Sequence, residues 1–504
     1  MVQKFLFQKF LLMSLGVTML KRAGAGESMK RFFTIFSDTS LKEDNKKFHT
    51  IYLILLLAVI IAGWGYFLNW GDIPFDFHDW AEVNAPRLAF LKDAITKSKL
   101  PLHMPDSSAL RGVTDRYMAL PDIILSPQII LLRWMSVGTF VLVHTWILIG
   151  LGYWGLLKLK RRFSLSLLSF TWITLLFFFN GHMISHYAVG HVTWGGAFLL
   201  SWFIELVFAL IEGERGTLWE AKMAFLLFFI FLQGSFHQFV WCLIFLGFLA
   251  LANWKMLFTI LRSGIAAGLL SMVRIIPPAL QMGAFDDDFL GGYRTPIQIV
   301  KAFVKIITPA DSLNQVKTGA VLGWWEFDIY TGIAGLILLG LGVLAWLLLR
   351  NYTLGFPALI CPIAALSIFS VRNAYILIRF FRIPLFSGER VSSRFLLLPL
   401  FFVLIAGTAA LQQWLKGKKI ERGLNLAMTI GLIPALAELG IHLNTWKVTE
   451  AFQAFPYTRT DLTIKTVANH PDQPYTTGLL IGAAVSLISA AIIIFRAWRE
   501  GDRK

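Results

Sequence analysis

The sequence predicts an all-α, polytopic transmembrane bundle of about twelve helices, and three observations predict it. The chain of 504 residues is 56% hydrophobic and only 15% charged, too apolar for a soluble protein and too long for one ordinary core. Apolar runs of roughly 17 to 22 residues recur along it, long enough to cross hydrocarbon as helices that satisfy their own backbone. Short basic connections alternate with long ones, as the positive-inside rule requires.

The expected spans lie near residues 51–68, 133–157, 164–180, 193–211, 223–235, 237–252, 263–280, 331–349, 356–371, 395–414, 423–441 and 476–496. The fifth and sixth read either as two helices or as one long tilted helix interrupted at Gly234, because the first half is short for a crossing. Residues 1–49 read as a cytoplasmic segment, or as an over-long start before Met29, with an apolar patch superficially like a secretory signal. Residues 50–504 form the membrane domain. With the N-terminus inside, KLKRR (158–162), KGKKIER (416–422) and the RAWREGDRK tail are cytoplasmic, and loops 69–130, 281–328, 372–394 and 442–475 are external. The expected location is the inner (plasma) membrane, multi-pass. The net charge of +16 suits anionic lipid headgroups rather than nucleic acid, since the basic residues flank apolar runs. Cys242 and Cys361 both sit in apolar stretches and read as packing residues.

The first long loop opens NWGDIPFDFHDW, which sets Asp72, Asp76, His78 and Asp79 directly after a span. Carboxylates at a membrane exit serve as general base or metal ligand, or simply as a solvated helix end. NGHMISHYAVGHVTWGG carries His182, His186 and His191, and His237 follows at the next turn on the same side. The four-residue spacing of His182 and His186 permits metal binding, but with no nearby cysteine or carboxylate the histidines read rather as hydrogen-bond donors to a polar ligand or to the first loop. RNAYILIRFFRIPLFSGERVSSR concentrates Arg372, Arg379, Arg382, Arg390 and Arg394 on the external side, against the insertion bias. Arg390 and Arg394, four apart, can aim at one phosphate; the alternative is snorkelling to headgroups. Arg274, deep in the seventh span, is a second candidate phosphate contact. AFDDDFLGGYR, with Asp286, Asp287 and Asp288, reads as a solvated acidic turn followed by Tyr293, a candidate substrate contact, and GWWEFDIY offers Trp325 as an interface or sugar platform.

Together FDFHDW, the proline-rich LPLHMP and LSP, the NGH and GH turns and ERVSSR resemble the GT-C class of membrane glycosyltransferases, especially bacterial members that use polyprenyl-phosphate sugars. The resemblance covers most of the chain after about residue 50 and fixes no substrate. It implies a hexosyltransferase-like enzyme with a polyprenyl-phosphate sugar donor, a glycan, lipid or protein acceptor, and the bilayer as partner. It further implies inversion at the anomeric carbon, with Asp76 or Asp79 as base toward the acceptor hydroxyl. The two acids are separated by Phe77 and His78, unlike the adjacent Asp and Glu of protein mannosyltransferases, which leaves them as alternatives. By the same resemblance Arg390, with Arg394 or Arg274, holds the lipid phosphate. No cofactor is required and a divalent metal is optional, because arginine alone can neutralise a monophosphate leaving group. A lipid-linked glycan transporter or flippase and a glycan polymerase or ligase are the rival expectations.

Overall fold

The computed structural model describes residues 35–38, 45–105, 114–120, 122–280, 290–313, 322–381, 388–455 and 467–501. Most of segment 1–49, the acidic turn Asp286 to Asp288, and Arg382 lie outside the described residues. We number the apolar helices α1 (Lys46–Phe67), α2 (Val137–Arg162), α3 (Leu167–Phe178), α4 (Gly181–Ala188), α5 (Leu200–Ile211), α6 (Thr217–Leu232), α7 (Phe236–Ala252), α8 (Leu257–Leu270), α9 (Met272–Ala279), α10 (Gly332–Leu349), α11 (Ile360–Phe369), α12 (Leu397–Leu415), α13 (Glu421–Thr445) and α14 (Gln473–Gly501). Among the described residues, eight helical segments are long and apolar enough to cross a membrane, α3 with α4 counting as one. A ninth is the pair α8 and α9, bent by 67°. The remaining expected spans, α6, α7 and α11, are helical but shorter. Extended pairing is confined, among the described residues, to three isolated bridges.

The protein is thus an all-α, multi-pass membrane bundle, and its burial pattern follows from the solvent. The Leu167–Ala188 segment is wholly buried, whereas the apolar window of α14 is only 28% buried and exposes Leu480, Leu487 and Ile492. Such an apolar belt is costly in water and neutral in lipid. Close helix contact uses small residues: a Cβ on Gly342 of α10 would lie 2.8 Å from the Gly407 carbonyl carbon of α12.

The fifth and sixth expected spans are two antiparallel helices. Gly234 takes the left-handed φ of +76° that turns the chain between α6 and α7. Their outer ends meet, since Arg215 Nη1 donates to the Lys255 carbonyl at 3.3 Å.

These contacts belong to a basic end. Arg162 pairs with Glu205 at 2.8 Å and with Glu212, Gln412 donates to Ser164 O at 3.1 Å, and Thr217 meets Glu500. The opposite end gathers the loops: Tyr66 donates to Asn444 at 2.6 Å, Trp80 to Ala188 O at 3.0 Å and His442 pairs with Asp328 at 2.8 Å. Segments 69–80 and 388–394 therefore lie at the same end of the bundle.

Candidate active site

The site begins with a helix that stops early. Asn180 interrupts the third span, and its side chain accepts from Met183 N at 3.1 Å, so the chain restarts as the short helix α4. That restart brings His182 and His186 onto one face, with ring centroids 4.3 Å apart. After α4, Gly190 takes φ +99°, and a Cβ there would sit 2.6 Å from the Trp80 amide nitrogen. Glycine is what allows residues 79–80 to press against 190–191. Trp80 Nε1 donating to Ala188 O, and Asn84 Nδ2 donating to Asp79 O at 2.9 Å and to Gly190 O, hold the two strands of chain in place.

The result is an outer group open to solvent. Asp79 Oδ2 lies 3.1 Å from His191 Nε2, and its Oδ1 lies 3.6 Å from His78 Nδ1. The Asp79 side chain is 31% exposed. His78 has a left-handed φ of +44°, an uncommon conformation for a non-glycine residue, and its ring stands edge-on to Trp325 at 4.8 Å. Burial pushes the His78 imidazole below its ordinary range, against the opposing pull of Asp79. His78, Asp79 and His191 each offer a ligand atom within 4.8 Å of the others, so together they can hold a divalent ion. Asp76 is half-buried nearby in sequence and has no hydrogen-bond or ion-pair partner among the described residues.

Behind it lies an inner, dry group. His191 Nδ1 faces His186 Nδ1 at 3.0 Å, so one ring donates and the other accepts. His186 Nε2 is 3.9 Å from Glu326. Arg394 grips Glu326 with two bonds of 2.7 Å and reaches Glu389 at 3.1 Å. Glu389 also meets His237 Nδ1 at 2.8 Å and accepts from Trp241 Nε1 at 3.1 Å. The Arg394 guanidinium lies 5.0 Å over Trp194, whose ring stacks on His186 at 4.3 Å and on His237 at 5.7 Å. Burial by itself would raise both carboxyls; the Arg394 charge nevertheless holds Glu326 below the usual range. His237 and then Arg394 hold Glu389 down to about 2.

The structure therefore separates the candidates. Asp79, His191, His186, His182, His237, Trp325 and Arg394 form one contiguous chain of contacts. Arg394 departs from the expected phosphate clamp, because the same donors that would grip a phosphate are spent on two buried carboxylates. Arg274 departs from it too: its guanidinium donates to the carbonyls of Met118 at 3.0 Å, Leu120, and Asp122 at 3.3 Å, which fastens the first loop to α9. Tyr293 is buried and donates to Phe327 O at 2.6 Å, a packing role. Arg390 is half-buried, and its carbonyl accepts from Gly291 N at 2.8 Å. Sequence reasoning passed over Glu326, Glu389 and Trp194. An acid one residue before Arg390 in a basic loop was the available signal for Glu389.

No family model and no curated protein matches the chain. Among solved structures, it is similar to the arabinofuranosyltransferase AftD from Mycobacteria, determined by single-particle cryo-EM. The similarity has a TM-score of 0.45 with 15% identity and covers 82% of this chain. The chain spans 27% of that much longer protein.

Proposed function

We propose that this protein is a membrane glycosyltransferase that moves a sugar from a polyprenyl-phosphate donor to an acceptor hydroxyl at the end opposite its basic end, the external face, with inversion. The observation that carries the reading is the placement of Asp79. It is a part-exposed carboxylate held by two imidazoles at a bundle end where a lipid headgroup and a water-soluble acceptor can meet. Asp79 takes the acceptor hydroxyl proton as the oxygen attacks the anomeric carbon, and His191 orients the carboxylate. Arg390 steadies the phosphate as the glycosidic bond breaks and negative charge grows on it. Trp325, expected as a sugar platform, is only 2% exposed: its ring is packed edge-on against His78 at 4.8 Å and Phe455 at 5.7 Å, so it backs the outer group rather than facing a sugar.

Separate Asp79→Asn and Asp76→Asn variants, assayed with monophosphate and diphosphate polyprenyl sugars, test the base. Asp79→Asn is expected to lower transfer by roughly 100-fold or more while Asp76→Asn stays within a few fold. Full activity in both sinks the assignment, and transfer from the diphosphate donor alone moves the protein to the polymerase or ligase class. Movement of a lipid-linked glycan across liposomes without sugar release identifies a transporter instead.

The grouping of His78, Asp79 and His191 favours one second reading, in which Asp79 is a metal ligand. Chelation that abolishes transfer, with recovery on adding Mn²⁺, selects it; chelator-resistant activity rejects it.

A further inference from the structure

A second cluster of ligand side chains lies where the first loop meets the last, and it shares no residue with the Asp79 group. The first loop folds back on itself there through an antiparallel bridge between His103 and Arg116, with Met104 N donating to Asp115 O at 2.9 Å and Tyr117 N to Leu102 O at 2.9 Å. That pairing sets His103 and Asp115 side by side. Asn469 then carries the last loop in, accepting from His103 N at 3.1 Å and donating to Leu100 O at 2.9 Å. His470 follows directly. Its Nε2 lies 2.6 Å from Asp115 Oδ2, and its ring centroid is 3.9 Å from that of His103.

We propose that His103, Asp115 and His470 bind a transition-metal ion of the zinc class that fastens the first loop to the last. One ligand atom from each residue lies within 4.8 Å of the others. An independent observation points the same way. His103 is 1% exposed, yet neither of its ring nitrogens makes a hydrogen bond. Its nearest carboxylate, Asp472 Oδ2 at 3.5 Å, is shared with Arg116, whose Nε and Nη2 donate to that group at the shorter distances of 2.6 and 3.0 Å. His103 Nδ1 has no partner and Nε2 has only the long 3.5 Å approach to Asp472, a poor return for burying an imidazole that a coordinated ion improves. A plain His–Asp pair accounts for His470 and Asp115 but leaves His103 with only its long contact to Asp472. Two imidazoles and one carboxylate suit a borderline-soft ion such as Zn²⁺ or Co²⁺ and leave a fourth position for water, whereas Mg²⁺ and Ca²⁺ require more oxygen donors. The Arg116–Asp472 pair stands behind His103 as the group that orients its ring.

The test uses the full chain in detergent, stripped with chelator and titrated with Co²⁺. A His191→Ala background removes the other two groupings of ligands found among the described residues, both of which include His191. The expected result is one Co²⁺ per chain with the absorption of a four-coordinate site, displaced by Zn²⁺ and not by Mg²⁺. His470→Ala and Asp115→Asn are each expected to weaken binding by roughly 100-fold or more. His470 is exposed, so its replacement should leave the metal-free unfolding midpoint unchanged, which separates ligand loss from misfolding. Failure of the parent to bind Co²⁺, or equal affinity and an identical spectrum in both variants, overturns the proposal. The readout does not involve sugar transfer and stands apart from the assignment of Asp79.

Discussion

The Glu326, Arg394 and Glu389 triad and the Asp79, His191 and His78 group touch through His186, yet they occupy different dielectrics. In the triad every charge is buried and answered: Glu326 and Glu389 have side chains 5% and 4% exposed, Arg394 8%. In the outer group Asp79 is 31% exposed and its partners are imidazoles, whose charge depends on a proton. The difference separates two uses of charge at one end of a bundle. A fully paired guanidinium in a dry setting builds a wall, while a carboxylate at the wet edge of that wall retains the freedom to exchange a proton.

The most direct way to break the comparison is to remove the triad's cation. Arg394→Met strips Glu326 of its two guanidinium bonds and leaves Glu389 with His237 and Trp241 alone, a loss of roughly 3–5 kcal/mol when one partner of a buried pair is deleted. Little folded protein is expected, with a collapsed unfolding midpoint in detergent, whereas Asp79→Asn should change stability by no more than about 0.5 kcal/mol. If Arg394→Met folds like the parent and instead loses donor binding, the guanidinium belongs to the substrate and the wall reading fails.

A smaller effect is expected where the two layers join. Gly190→Ala places a methyl group at φ +99° and 2.6 Å from the Trp80 nitrogen. That conformation costs roughly 1–3 kcal/mol, and relieving the contact must shift the segment that carries Asp79. The expected outcome is a lowered unfolding midpoint together with reduced transfer. Reduced stability with undiminished transfer would mean that the position of Asp79 against His191 does not matter to the reaction.

Much of this arrangement was legible in the sequence, and what escaped did so for physical reasons. The spans followed from length and hydropathy, because hydrocarbon admits only helices there. That the first-loop acids and the late arginines share an end followed from counting crossings. Partner choice did not follow. Arg274 and Arg394 both carry the mark of a costly buried charge, but the sequence does not say whether the answer is a ligand, a carbonyl or a carboxylate. For Arg274 it is three loop carbonyls, and for Arg394 it is Glu326 and Glu389, which are 68 and 5 residues away. The different surroundings of Asp76 and Asp79 escaped likewise, since those of Asp79 depend on Gly190 and His191 arriving from more than 100 residues on.

The finest test uses pH, and its sign separates the layers. Glu389 is held at about 2, below its ordinary value of 4.5, so the folded state keeps the ionised form longer than the unfolded chain does. A depressed carboxylate contributes stability that is fully present above the ordinary value and is lost as pH falls through the interval from 4.5 toward about 2. The unfolding midpoint of the parent should therefore fall in that interval relative to Glu389→Gln, which lacks the titration, with the gap between them greatest near neutrality. The inner group predicts this loss entirely on the acid side. A gap that instead closes well above the ordinary carboxyl value of 4.5 would assign the coupling to a group other than Glu389. The triad would then be a proton-responsive element and not a fixed wall.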